Sequence, residues 1–413
     1  MGEKALLVAV VTGSRERPRV EAAVEELALL ADSAGARVVG AILQERKRRD
    51  PATVIGRGKV IEVAALAAAR EADVVIFDDE LSPAQQRNLE EELGVKTLDR
   101  TQLILDIFAK RARTREGRLQ VELAQLDYML PRLTGKGVLL SRLGGGIGTR
   151  GPGETKLETD RRRIRQRMQS IRRDIEGVRR NRTTRRDARQ RAAAPIVALV
   201  GYTNAGKSTL FRALTGADTA VSEQLFLTLD PLIRKMRAGS GRDVLLVDTV
   251  GFIQKLPHAL VAAFRATLEE VVEADLLLHV LDASAEDVEQ REEAVEAVLE
   301  EIGGADRPRI TVLNKADRIA AARARALQEG RPESVVVSAQ TGAGLDALRD
   351  AVAGRLELQP RSVRLRFKAG DRRGIAGVYT AGRVVAHEVE DGHVMLDAEL
   401  PERMVERYRE HLV

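Results

Sequence analysis

The chain has 413 residues, of which 44% are hydrophobic and 31% charged, with 34 Gly and 12 Pro; disordered, collagenous and small stapled scaffolds are thereby excluded, and at roughly 100 to 200 residues per domain two to four domains are expected. Cysteine is absent, which rules out disulfides, thiolate metal sites and cysteine nucleophiles, and His258, His279, His387, His393 and His411 lack metal-ligand spacing. The net charge of +5 is uneven: residues 161–191 hold fourteen Arg against Asp174, Glu176 and Asp187, so this segment carries +11 and the remainder of the chain −6.

The amino terminus, MGEKALLVAV, runs directly into a strand-like pattern. No apolar stretch reaches the roughly 18 residues needed to cross a bilayer. No membrane span and a cytoplasmic location are expected, in keeping with the missing cysteines. Over residues 1–100, apolar runs at 5–11, 37–43, 73–77 and 95–98 alternate with helical stretches at 20–30, 59–70 and from Ser82-Pro83 onward, which reads as a small parallel α/β domain over 1–110. Ser82 can cap free amides, and proline needs no donor at the first helical position.

Leu119, Leu123, Leu126, Leu130 and Leu133 recur at spacings of 4, 3, 4 and 3, a seam on a helix that should begin near Thr101, and Ile164, Met168, Ile171, Ile175 and Val178 repeat the spacing inside the basic block. An antiparallel helical hairpin over 111–192, seam against seam, is the simplest arrangement. Between the seams, 134–158 includes GGGIGTRGPGET, with six glycines among the ten residues from Gly144 to Gly153. That density excludes a helix or core strand and predicts an exposed tip loop, read as a contact element in preference to a spacer. The Arg block is the footprint expected of phosphate-backbone contact, with a solvated helix face as the bland alternative. Only 3% of residues are aromatic and none is Trp, which argues against base-stacking platforms.

Residues 193–356 resume strand–helix alternation as a second α/β domain. Residues 357–413 read as a small α+β domain with strands at 363–367, 383–389 and 393–396 and a helix opened by Pro401, of no legible function.

Chemistry concentrates in 193–356. The apolar strand 196–200 runs into Gly201, Tyr202, Thr203, Asn204, Ala205, Gly206, Lys207, Ser208 and Thr209, a G-x-x-x-x-G-K-S loop before a helix. Backbone amides there cradle phosphate, Lys207 supplies a point charge, and the Ser208 hydroxyl suits Mg2+. Asn314, Lys315 and Asp317 close the strand 310–313, where a carboxylate can take the N1 and N2 protons of guanine, and Ser338 and Ala339 are placed to meet its carbonyl, so GTP is expected as substrate in preference to ATP. Asp248 ends the strand 244–247 as a second metal candidate, and the Gly251 amide can approach the γ-phosphate. Thr228 is the candidate switch threonine, favoured over Thr219 and Ser222 because Leu229-Asp230-Pro231 ends the loop after it. Catalytic roles are therefore assigned to Lys207, Thr228 and Gly251, and metal ligation to Ser208, Thr228 and Asp248. Phe252 follows Gly251 and cannot orient water, so slow unaided hydrolysis is expected whether or not the ring is simply a core residue.

These motifs resemble those of translation-factor-related P-loop GTPases. The whole chain resembles the HflX family, on Arg49-Asp50-Pro51-Ala52 with Gly56-Arg57-Gly58-Lys59, on the stretch from Asp99-Arg100-Thr101 to Gln125-Leu126, and on 143–157 leading into Glu158-Thr159-Asp160-Arg161-Arg162. The resemblance implies a GTP hydrolase that binds the large ribosomal subunit at its intersubunit face, splits or rescues ribosomes and is stimulated by them. The basic hairpin and Gly-rich loop would meet rRNA, and a monomer is expected. Asn204 resembles the asparagine that places a potassium ion in cation-activated relatives, which implies a catalytic part for it, although asparagine is also a good turn residue. The Gly56–Lys59 loop alone is a weak signal, explained by a tight turn. The alternative reading is an RNA-binding anti-association or ribosome-assembly module in which GTP mainly stabilises the fold.

Overall fold

The computed structural model describes residues 2–13, 16–133, 156–190, 194–217, 225, 226, 228–254, 268–358, 360–390 and 392–413, with backbone alone at 156, 157, 179–190 and 403. The predicted Gly-rich tip at 134–155 and the rival switch residues Thr219 and Ser222 lie outside the described residues. The chain forms two compact units, one containing residues 1–179 with the 222–230 segment, the other 180–221, 231–254 and 266–413.

In the first unit, β1 (Lys4–Val11), β2 (Arg37–Glu45), β3 (Val74–Phe77) and β4 (Lys96–Asp99) form a parallel sheet in the order β2-β1-β3-β4. The helices α1 (Arg17–Ser33), α2 (Arg57–Ala69) and α3 (Pro83–Leu93) make the crossovers. Every residue of β3 is buried, as a parallel strand covered on both faces requires. Ser82 caps α3 as expected, its Oγ accepting from the Gln85 amide at 3.2 Å while Gln85 Oε1 accepts from the Ser82 amide at 2.9 Å.

The helix expected from Thr101 is two helices, α4 (Arg100–Arg111) and α5 (Arg115–Arg132). Ala112 leaves the helical region at ψ 113°, and Thr114 restarts the helix by accepting the Gly117 amide at 3.0 Å. The most buried stripe of α5 is Gly117, Gln120, Val121, Ala124 and Tyr128, whereas the predicted leucine seam is only half-buried. At the end of α5, Arg132 donates to Leu81 O at 2.7 Å and to Gln86 Oε1 at 3.0 Å, pinning the helix to the α/β domain. The basic segment is one helix of 35 residues, α6 (Lys156–Gln190). Met168 and Ile171 are buried, and Arg167 grips Glu122 of α5 through two bonds of 2.7 and 2.9 Å.

The 225–230 stretch is seated in this unit. Leu225, Phe226 and Leu229 are buried, the Leu225 amide donates to Ser33 Oγ at 2.9 Å, and the rings of Phe226 and Phe108 meet edge to face at 4.6 Å.

In the second unit, β5 (Ile196–Gly201), β6 (Leu232–Arg237), β7 (Asp243–Asp248), β8 (Leu276–Asp282), β9 (Arg309–Asn314) and β10 (Val335–Val336) form a sheet in the order β10-β9-β8-β5-β7-β6. Only β6 runs antiparallel. Helices α7 (Lys207–Thr215), α8 (Val288–Ile302), α9 (Ala321–Glu329) and α10 (Leu345–Arg355) complete the expected α/β alternation. The chain ends in an antiparallel sheet, β11 (Pro360–Lys368), β12 (Arg383–Glu390) and β13 (His393–Pro401), with β13 central. It is joined by α11 (Arg372–Ala381), a helix that the sequence pattern does not predict, and by the short α12 (Glu402–Val405). Between β6 and β7, Arg242 donates to Ala381 O at 2.8 Å and Glu399 O at 3.2 Å, fastening this terminal segment to the α/β sheet.

Candidate functional site

Because β5, β7, β8 and β9 are parallel, their carboxyl ends lie along one edge, the place where an open α/β sheet collects ligand-binding groups. Gly201 ends β5, Asp248 ends β7, Asp282 ends β8 and Asn314 ends β9. The strands thus deliver four of the chemically distinctive residues to one rim.

The 201–208 loop turns from β5 into α7 with Asn204 at φ 59° and Gly206 at φ 91°. A Cβ at Gly206 would run into Asn314 Nδ2, so this position needs glycine for space as well as conformation. Asn204 is exposed and left-handed, a geometry that asparagine adopts readily as a turn residue. Lys207 lies at the start of α7 and is buried, with Nζ donating to Gly201 O at 2.9 Å and Tyr202 O at 2.7 Å. Burial pushes its ammonium down to about 8, with the charge of Asp248 opposing the shift. A cation held on two carbonyls with no full counter-charge is suited to an arriving polyphosphate.

Ser208 donates from Oγ to Asp248 Oδ2 at 2.8 Å. A hydroxyl and a carboxylate from different elements therefore converge as hard oxygen donors, which fits Mg2+. The third metal candidate, Thr228, belongs to the first unit's 222–230 segment and is half-buried there. After Asp248, Gly251 passes so near the loop that a Cβ would lie 2.9 Å from Thr203 Cγ2 and 3.0 Å from Lys207 Nζ. Phe252 is buried, and its main chain bonds the loop on both sides, accepting from the Thr203 amide at 2.7 Å and donating to Gly201 O at 3.1 Å.

Asn314 acts as a brace. Its Nδ2 donates to Ala205 O at 2.9 Å and its Oδ1 accepts from the Ala339 amide at 3.0 Å, tying the phosphate loop to the Ser338–Ala339 turn. Asp317 accepts from Ser338 Oγ at 2.5 Å. The structure thus brings Asn314, Asp317, Ser338 and Ala339 together.

Sequence reasoning missed Asp282. Its carboxylate accepts from Lys315 Nζ at 2.7 Å and from the Ser284 amide at 3.0 Å; burial works against its ionisation, but these donors hold it below the ordinary carboxylate range. An acid closing the mostly apolar run 276–281, which His279 alone interrupts, is the available signal, since such a residue has little reason to sit at a buried strand end unless it holds something.

Three family descriptions match in succession: GTP-binding GTPase N-terminal over residues 21–109, GTP-binding GTPase Middle Region over 111–189, and 50S ribosome-binding GTPase over 196–315. The chain is 47% identical over 411 residues to "GTPase HflX" of Caldanaerobacter subterraneus subsp. tengcongensis, covering 100% of this chain and 94% of that protein. It is 44% identical over 404 residues to "GTPase HflX" of Escherichia coli K12, covering 97% and 94%. Among solved structures, the GTP-binding protein from the archaeon Sulfolobus solfataricus in complex with GDP aligns with a TM-score of 0.46 at 24% identity, over 86% of this chain and 99% of that one. With a GTPase phosphate loop on β5 and such identity along its full length, the chain belongs to the HflX family of P-loop GTPases.

Proposed function

We infer that this GTPase acts on ribosomes through the large subunit, binding at its intersubunit face and splitting or rescuing them, with hydrolysis switched on by the subunit itself. The observation that supports this reading most directly is the pairing of a guanine-nucleotide rim with a separate 35-residue basic helix, on which Arg162, Arg163, Arg165, Arg172 and Arg173 are exposed. The family matched over 196–315 is described as 50S ribosome-binding, and the exposed guanidinium groups suit RNA phosphates. The division into an α/β domain, a hairpin, a GTPase domain and a C-terminal domain serves this reading, with the hairpin and its Gly-rich tip as the RNA-facing part.

At the rim, Lys207 leaves the two loop carbonyls for the β- and γ-phosphates, and the Gly251 amide meets the γ-phosphate. Asp317 takes the guanine N1 and N2 protons while the Ser338–Ala339 turn meets the base carbonyl. Lys315, aimed by Asp282, covers the base. Ser208 and Asp248, with Thr228 as the proposed third ligand, would hold Mg2+, which would supply charge neutralisation between the phosphates. Asn204 is the proposed ligand of an activating potassium ion, which a comparison of turnover in sodium and potassium buffers tests: equal rates exclude it.

The test of function is GTP turnover with and without purified large subunits, together with light scattering of intact ribosomes. Subunit-stimulated turnover and a GTP-dependent loss of scattering are expected, and Lys207→Ala or Ser208→Ala should abolish both. Turnover indifferent to ribosomes would favour the reading in which GTP only stabilises an RNA-binding module.

A further inference from the structure

Tyr202 occupies the second position of the phosphate loop, yet its side chain does not face outward. The residue is buried, and its phenolic oxygen accepts the main-chain amide of Gln254 at 2.9 Å. The ring is held from the other side by Arg291 of α8, whose guanidinium carbon lies 5.2 Å from the ring centroid and whose Nε is 2.8 Å from Asp287 Oδ1. The phenol is therefore aimed by groups outside the loop.

What it holds is the segment that follows Asp248. Phe252 is joined to the loop by two main-chain bonds, the Thr203 amide to Phe252 O and the Phe252 amide to Gly201 O. Any residue at 202 would permit these. The bond to Gln254 is different, because it needs a hydroxyl at the tip of a long rigid side chain. It extends the attachment two residues beyond Phe252, so that Gly251 lies between two fixed points, Asp248 at the end of β7 and the 252–254 stretch. A phenylalanine would fill the same buried space and leave the Gln254 amide without this acceptor. Packing alone therefore does not explain the hydroxyl.

We propose that Tyr202 is a positioning residue for GTP hydrolysis, its phenolic oxygen tethering residues 252–254 to the phosphate loop and so fixing the Gly251 amide where the γ-phosphate arrives. The inference rests on the reading of Gly251 as the γ-phosphate contact. A diphosphate does not extend to Gly251, so the tether bears on GTP and its hydrolysis while leaving GDP binding untouched, which separates positioning from a general role in shaping the loop.

The experiment uses the full-length protein with large subunits. Tyr202→Phe should slow single-turnover hydrolysis by about 3- to 10-fold, the effect of one neutral hydrogen bond, and reduce the preference for a non-hydrolysable GTP analogue over GDP by a similar factor. GDP affinity should stay within about twofold. An unchanged rate and preference, with or without a lower melting temperature, would overturn the tether and leave Tyr202 a core residue. Equal losses of GDP and GTP-analogue affinity would overturn it too, as a loop-shaping effect. Hydrogen exchange at the Gly251 amide of the unmodified protein, compared between the GDP-bound and GTP-analogue-bound states, tests the underlying reading separately: if the analogue does not slow exchange there, Gly251 is not the contact, whatever Tyr202→Phe does.

Discussion

The Asp230 carboxylate sits on the start of α5, accepting the main-chain amides of Arg113 and Thr114 at 2.9 Å each and the Thr114 hydroxyl at 2.5 Å. Thr114 in turn caps α5, so one acid ends the candidate switch segment and begins the first helix of the hairpin. The bonds join residues 116 and 117 positions apart in the chain.

Asp230→Ala should therefore loosen both elements at once. A cost of about 1 to 2 kcal/mol is expected for losing a helix-start acceptor. Hydrogen exchange should speed up at the Leu225 amide as well as at Arg113 and Thr114. Faster exchange confined to 113 and 114 would mean that Leu225, Phe226 and Leu229 hold the segment without help from Asp230.

Base selection makes a second expectation. Asp317→Asn presents an amide donor where guanine needs an acceptor, so competition assays should show xanthine nucleotide gaining on guanine nucleotide by roughly tenfold or more. An unchanged ratio would remove Asp317 from base recognition.

For the basic helix, changing Arg161, Arg162, Arg163 and Arg165 to Gln should lower the slope of log affinity for large subunits against log salt, by about 0.7 to 0.9 for each RNA phosphate that is no longer neutralised. Arg167 is the expected exception. Its guanidinium is spent on Glu122, and its replacement should weaken the pairing of α5 with α6 more than the salt slope. An unaltered slope in the fourfold variant would show an ordinary solvated face.

His279 supplies a pH dependence. Burial pushes its imidazole down from 6.5 to about 4, with Glu296 partly opposing. The unfolded chain takes up a proton near the upper value and the folded chain only near the lower. Between them the unfolded state binds more protons, so stability present above about 6.5 is lost as the pH falls toward 4. The full window corresponds to about 3 kcal/mol. His279→Leu should flatten the denaturation midpoint between pH 7 and 5; an undiminished slope would assign the acid sensitivity to other groups.

Local chemistry explains what could be read in the sequence. The phosphate loop, Asp248 and the Asn314–Asp317 turn are short segments whose residue types and flanking strands suffice to place them. The α4–α5 break was missed because Ala112-Arg113-Thr114 contains neither glycine nor proline, and the stop comes from Asp230, far off in the chain. Helix α11 was missed because Gly374 and Gly377 read as loop, whereas a Cβ at Gly377 would lie 2.7 Å from the Tyr408 hydroxyl, so that glycine serves packing. Tyr202 and the seat of Phe226 on Phe108 depend on tertiary contacts that no local pattern encodes.

On the proposed reading, hydrolysis at this site waits for the ribosome to supply what Phe252 cannot. Phe252 is buried with its main chain bound to the phosphate loop, so no side chain there orients water, and Phe252→Gln should not accelerate hydrolysis. The direct measurement is single-turnover hydrolysis of bound GTP by the full-length protein, alone and with purified large ribosomal subunits. A rate far below the roughly 1 to 100 per second of efficient phosphoryl-transfer enzymes when alone, rising steeply with subunits, is the expected result. Fast hydrolysis without them would mean that a residue of this chain completes the site, and would contradict a catalytic role for the ribosome.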